Sequence, residues 1–171
     1  AIDVGANIGM HTLLFSRYYN NIYSFEPHPK TFKLLDINIQ DYANNATPYN
    51  LAAYSSEGEI EFSSQSWNIG GFAINPNFNK VTKGFKTIVK TVCLDSVTEI
   101  SEDAIGLIKI DVEGAEYEVL KGSEVIISKN KPIIIMECWD SQKGEARSIT
   151  YLRSLGYQYF LYPVILPIRR S

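Results

Sequence analysis

Four short stretches hold the side chains that could do chemistry. Asp3-Val4-Gly5-Ala6-Asn7-Ile8-Gly9 joins an apolar run to a helical one, and Phe25-Glu26-Pro27 ends a second run. Ile108-Lys109-Ile110-Asp111-Val112-Glu113-Gly114 ends a third, and Glu137 closes a fourth after Ile133 to Met136. A strand, a glycine turn and a helix in succession aim backbone N–H groups and the positive helix end at a nucleotide-like ligand. The spacing of Gly5 and Gly9 is Gly-x-x-x-Gly, without the Gly-x-Gly-x-x-Gly triplet that accommodates a dinucleotide pyrophosphate. Glu26 follows the glycines by about 20 residues, where a carboxylate accepts hydrogens from both hydroxyls of a ribose. Two structural alternatives for Glu26 remain open: an acid favouring the N-terminus of the helix that Pro29 opens, or an exposed turn charge. Asp111 and Glu113 share one side of their strand if it extends that far. Asp3, Glu26, Asp111 and Glu137 are therefore expected to form an acidic rim at the carboxyl ends of four strands, where ligands of such sheets bind.

The elements that must position these groups alternate between strands and helices, the pattern of a parallel sheet with helices on its faces. Strands are expected at Ala1 to Val4, Asn21 to Phe25, Thr47 to Ala53, Ile105 to Ile110 and Pro132 to Glu137. Helices are expected at Thr12 to Tyr18, Pro29 to Gln40, Gly114 to Leu120 and Glu145 to Ser154. Proline suits a first helical position, and Phe32, Leu35, Ile37 and Ile39 supply the apolar face behind Pro29. Gly122 and Gly156 stop helices, Ser123 caps a short one, and Asp95 is compatible with a cap on the helix after it. An inserted hairpin and loop occupies about 55–92, with a strand at Thr87 to Cys93, at the rim where substrate contacts gather. Two closing strands at Tyr157 to Leu161 and Val164 to Ile168 turn at Pro163.

With 171 residues, 45% hydrophobic and 20% charged, the chain suits one compact domain, long enough to bury a core without disulfides or a structural metal. Cys93 and Cys138 lie far apart inside apolar runs without zinc-ligand spacing, so both are expected as buried reduced thiols, which favours a cytoplasmic location. Sixteen basic against 19 acidic side chains give a net charge of -3, which argues against nucleic acid and anionic membranes as partners. No apolar run approaches the roughly 20 residues of a membrane span, and no signal-peptide pattern opens the chain. Ala1 enters a strand-like stretch at once, so the chain reads as one domain of a longer protein with further domains as partners.

In order along the chain, Asp-Val-Gly-Ala-Asn-Ile-Gly-Met-His-Thr, Ser-Phe-Glu-Pro-His-Pro, Cys-Leu-Asp-Ser and Ile-Lys-Ile-Asp-Val-Glu-Gly-Ala-Glu resemble the FkbM-type family of S-adenosylmethionine-dependent class I methyltransferases. The resemblance covers nearly the whole chain. It implies a single methyltransferase domain over 1–171, a Rossmann-like α/β sandwich on a mainly parallel seven-stranded sheet with one antiparallel strand. It also implies the cofactor S-adenosylmethionine and O-methylation of a sugar hydroxyl on a small-molecule or glycan acceptor. Carried over by residue, Asp3, Gly5, Ala6, Asn7 and Gly9 would face the methionine moiety and Glu26 the ribose. Asn68, Gly70 and Gly71 resemble an Asn-x-Gly stretch of the family, with a plain turn as the alternative.

In-line methyl transfer needs a base within hydrogen-bond reach of the acceptor hydroxyl. The candidates are Glu113, Asp111 and Glu137, in that order, since clustered acids raise one another's pKa. Asp111 is equally a cofactor contact. His11 is a further candidate because histidine is the residue type suited to proton transfer near neutral pH, with packing as the alternative, and His28 between two prolines reads as a surface turn residue. Asp111, Glu113 and Glu137 would suit magnesium, yet no histidine or ligand spacing accompanies them, so no metal is expected. Trp67 is the candidate for stacking on a sugar, whereas packing explains Tyr151, Tyr157, Tyr159 and Tyr162. Two rival readings are a Rossmann-type NAD(P)-dependent oxidoreductase, which the glycine spacing opposes, and a non-catalytic adenosyl-binding module of a larger glycan-processing protein.

Overall fold

Short apolar runs alternate with amphipathic segments along the chain, and each becomes an element of a layered α/β fold. The computed structural model describes residues 1–64, 72–73, 85–112, 114–137 and 147–158, with backbone alone at 62–64, 72–73 and 85–86. The elements begin β1 (Ile2–Val4), α1 (Met10–Phe15), β2 (Ile22–Phe25), α2 (Pro29–Tyr42), β3 (Ala46–Tyr49) and β4 (Ala52–Ala53). They continue with β5 (Gly58–Ser64), β6 (Phe72–Ala73), β7 (Phe85–Val92), a short 3-10 turn (Leu94–Ser96) and α3 (Thr98–Glu102). The last are β8 (Leu107–Ile110), α4 (Glu116–Lys121), α5 (Glu124–Asn130), β9 (Ile133–Met136) and α6 (Arg147–Ser154). Among the described residues, no helix is long and apolar enough to cross a membrane.

Among the described residues five strands form one parallel sheet in the order β3-β2-β1-β8-β9. Strand alternation sends Ile2, Val4, Tyr23, Phe25, Ile108 and Ile110 to one face, where they pack on Leu94, Ile100, Val119, Leu120, Ile126, Ile127 and Leu152. On the opposite face Ala1, Ile22 and Leu107 meet Phe15 of α1, while Leu35 and Ile39 of α2 close over Ala6. Covering on both faces is why the central strands read as continuous apolar runs. Each fully buried isoleucine contributes roughly 1.5–3 kcal/mol.

Several boundaries differ from the expectation, each for a local reason. Helix α1 starts at Met10, because Gly9 at φ 96 ends the turn there, and stops at Phe15, leaving Tyr18 exposed. The run 47–53 is two strands. Among the described residues β3 is an edge of the parallel sheet, and β4 leaves it to pair with β7. At the break, the Asn50 amide donates to the carbonyls of Glu26 and Pro27, tying the corner to the end of β2. Helix α2 buries Thr31, Leu35 and Ile39, a stripe of i, i+4 and i+8, and so leaves Ile37 exposed. Ile133 and Ile135, whose apolar run suggests a buried strand, are exposed on β9, which is an edge strand among the described residues.

The expected hairpin is present: β5 and β7 pair antiparallel from Gly58–Thr91 to Ser64–Phe85, with β6 on the outer side of β5. Val89 and Ile60 pack there on Ala52, Ala115 and Val112. Residues 145–146 and most of the two expected closing strands lie outside the described residues, as does Cys138. Cys93 is half-buried, and burial pushes its thiol up, with help from Glu57 and Asp95. Helix α6 ends as expected at Gly156: Gly156 N donates to Arg153 O and Tyr157 N to Leu152 O, a Schellman closure around a glycine at φ 86.

The cap of α5 is not Ser123, whose hydroxyl donates back to Val119 O. Asp95 caps it instead, its two oxygens accepting from Val125 N at 2.9 Å and Ile126 N at 3.0 Å. Asp95 thus serves a helix across the fold rather than the one that follows it. Asp95→Ala should lower the unfolding free energy in urea by about 1–2 kcal/mol; an unchanged midpoint would refute the cap.

Candidate functional site

Beyond Val4 the backbone turns through Gly5 (φ 72), Asn7 (φ 52) and Gly9 (φ 96). Gly5 N and Ala6 N both donate to Phe25 O at 3.0 Å, clamping the turn onto the end of β2. A Cβ on Gly5 would sit 1.9 Å from the Asp111 carbonyl oxygen, so the close approach this glycine permits is to the chain's own backbone at the end of β8.

Glu26 stands one residue past β2 and is only 7% exposed, which removes the exposed-turn reading. Its Oε2 accepts from Asn7 N at 3.0 Å and its Oε1 from His28 N at 2.8 Å. Burial raises its carboxyl above the usual range, against the opposing pull of these two N–H groups and the Lys109 ammonium. A carboxylate offers about four acceptor sites, so each oxygen keeps capacity for another donor. The helix-terminus role belongs to His28, which is buried rather than on the surface: its Nδ1 accepts from Thr31 N and caps α2. Burial, then Lys30, holds its imidazole below the ordinary range.

Parallel register sets Ser24, Asp3 and Lys109 side by side across β2, β1 and β8. Asp3 is fully buried and Lys109 is 5% exposed. Thr12 of α1 donates to Asp3 Oδ2 at 2.7 Å, so Ser24, 2.9 Å away, donates to Thr12. Asp3 Oδ1 lies 3.3 Å from Lys109 Nζ, an ion pair without hydrogen-bond geometry. The lysine donates instead to Gly5 O at 2.8 Å and Val4 O at 3.4 Å. Asp3 is therefore not part of the rim, because it sits inside β1 rather than at its end. Thr12, Ser24 and Lys109 were not singled out from sequence, although a charge inside a buried strand signals a required partner.

The rim proper holds Glu26, Asp111 and Glu137, each one residue past a strand end. Those ends are level, since Val4 pairs with Phe25 and Ile110, and Ile110 with Met136. Asp111, with a 43% exposed side chain, lies 3.5 Å from Lys109 Nζ. Glu137 is exposed, its N donating to Ile110 O. Buried Glu116 accepts from Gly114 N at 2.9 Å and shapes the loop after Asp111. Glu113, Trp67, Asn68, Gly70 and Gly71 lie outside the described residues. His11 is exposed on α1 with its ring 5.9 Å from that of Phe15. Tyr151 packs edge-on against Tyr117, and the Tyr157 hydroxyl donates to Pro132 O. Among the described residues, no three His, Cys, Asp or Glu side chains gather to hold a metal.

Replacing Thr12 by Val keeps its shape but strips Asp3 Oδ2 and the Ser24 hydroxyl of their partner. The expected loss is about 1–3 kcal/mol in chemical denaturation, largely restored in Thr12→Ser.

The chain has recognisable relatives. The chain is 37% identical over 121 residues to "Hexuronic acid methyltransferase AglP" of Haloferax volcanii, covering 70% of this chain and 48% of that one. It is 26% identical over 180 residues to "Methyltransferase 1" of Beauveria bassiana, covering 91% of this chain and 71% of that one. The crystal structure of methyltransferase FkbM from Methylobacillus flagellatus KT superposes with a TM-score of 0.63 at 18% identity, over 91% of this chain and 36% of that one. The chain thus spans about half the length of AglP and about a third of the solved protein. The model of the methyltransferase FkbM domain matches residues 3–159, and with Glu26 and the Asp111 loop both inside that span, the chain belongs to the FkbM methyltransferase family.

Proposed function

We propose that this chain binds S-adenosylmethionine at the turn between β1 and α1 and methylates an oxygen of a sugar, most directly a hydroxyl. One observation carries the reading: Glu26 is a buried carboxylate already oriented by two backbone N–H groups, with acceptor sites left over at the rim. Such a group suits a ribose diol. The residues present fit the cofactor, since a cation is favoured beside Glu26, Asp111 and Glu137, while the glycine spacing disfavours a dinucleotide. AglP, named for hexuronic acid, makes acidic sugars the first acceptors to try.

When bound, S-adenosylmethionine supplies an activated methyl group. Glu26 would accept hydrogen bonds from the ribose, while Asp3, Gly5, Ala6, Asn7 and Gly9 would form or support the bed for the methionine part. Asn68 would contribute a further contact. Asp111 and Glu137 at the ends of β8 and β9, together with Glu113, or His11 on α1, would hold the acceptor and take its proton.

Saturation with S-adenosylmethionine or its demethylated product to about a hundred times Kd should stabilise the protein by about 2.7 kcal/mol, whereas NAD should not. Glu26→Ala should remove most of this shift; no shift with either compound would overturn the reading.

The sign of a pH effect follows from Glu26. Its raised carboxyl means that protonation favours the unliganded fold and that ionisation carries a burial cost. Ligand hydroxyls favour the ionised form instead, so binding at acid pH releases a proton. Affinity should fall up to about tenfold per pH unit below the raised Glu26 titration. Titration calorimetry in two buffers of different ionisation enthalpy would reveal that proton, and Glu26→Gln should abolish it.

A further inference from the structure

Among the described residues Lys109 is the only buried lysine, and nothing in the proposed chemistry uses it. A charge enclosed in a parallel sheet persists only with partners, and Asp3 beside it supplies the counter-charge. Counter-charge alone does not explain where the ammonium points. Its shortest contact is the Gly5 carbonyl at 2.8 Å, and it also lies 3.5 Å from the Asp111 carboxylate. Gly5 O belongs to the left-handed glycine of the turn, and Asp111 is the rim acid whose carbonyl Gly5 approaches most closely. A glycine peptide has more rotational freedom than any other, and an amine donor fixed on its carbonyl removes that freedom during folding. The ligand then meets a turn that is already ordered, which lowers the entropic cost of binding.

We propose that Lys109 is a positioning residue for the cofactor: seated on Asp3, its ammonium holds the Gly5 carbonyl and the Asp111 carboxylate in the one arrangement that receives the ligand. The proposal rests on the S-adenosylmethionine reading above. Its competitor is a lysine that merely neutralises Asp3.

The double variant Asp3→Asn/Lys109→Met removes both buried charges together; because Asp3 itself supports the methionine bed, the loss of the Asp111 effect, and not weaker binding alone, separates the two. Under the proposal it folds cooperatively but binds S-adenosylmethionine about tenfold or more weakly by calorimetry. Asp111→Asn, costing about tenfold in the wild-type background, should then cost less than about threefold, because its partner is already gone. Binding within about twofold of wild type, or an undiminished Asp111 effect, would overturn it. If the double variant does not fold, the wild-type protein decides. The lysine ammonium most protected from exchange should shift in an amine-selective proton–nitrogen spectrum when the demethylated product saturates the site, and a stationary signal would refute the role. A wild-type protein that binds neither compound instead overturns the cofactor reading itself.

Discussion

A lysine ammonium and an aspartate carboxylate enclosed side by side in the middle of a parallel sheet are the constraint on which the site depends. Lys109 and Asp3 are register partners on β8 and β1, and Thr12 from α1 and Ser24 from β2 complete their polar row. Removing either member of such a pair leaves an uncompensated buried charge, typically about 3–5 kcal/mol. The row therefore locks three strands and the first helix into one relative position, directly beneath the turn that begins at Gly5. The core around it is mostly apolar, whereas here the positions of donors and acceptors leave few alternatives.

Parallel pairing does the rest of the positioning. Because β1, β2, β8 and β9 run the same way in level register, whatever follows their last residues emerges at one edge. Glu26, Asp111 and Glu137 arrive there from distant parts of the chain without direct bonds among their side chains being needed to bring them together. Glu26 is the most strongly held, its two oxygens bound by the turn on one side and by the start of α2 on the other. The result is an edge of negative charge above a buried ion pair that is neutral overall.

The four-stranded sheet touches the end of α4 through backbone contact. A Cβ on Gly122 would lie 1.9 Å from the Tyr54 carbonyl oxygen, so the end of α4 touches the segment leaving β4 directly. Asp95 reinforces the same corner, with its N–H donating to Gly122 O and its carboxylate capping α5. The hairpin is thereby anchored beside the loop that follows Asp111.

Much of this was legible in the residues themselves. Continuous apolar runs identified the buried strands, Pro29 marked the start of α2, Gly156 its counterpart at the end of α6, and Glu26, Asp111 and Glu137 were recognisable as strand-end acids. Each of those readings depends on a local rule: side-chain period, the fixed φ of proline, the left-handed freedom of glycine. Tertiary structure alone decided that Asp3 lies below the rim, that Lys109 reaches Gly5, that His28 rather than Glu26 caps α2, that Asp95 caps α5, and that the run 47–53 divides between two sheets. Those outcomes turn on which residues strand register and chain crossing bring within hydrogen-bond distance, and the periodicity of a single segment contains no information about its neighbours in space.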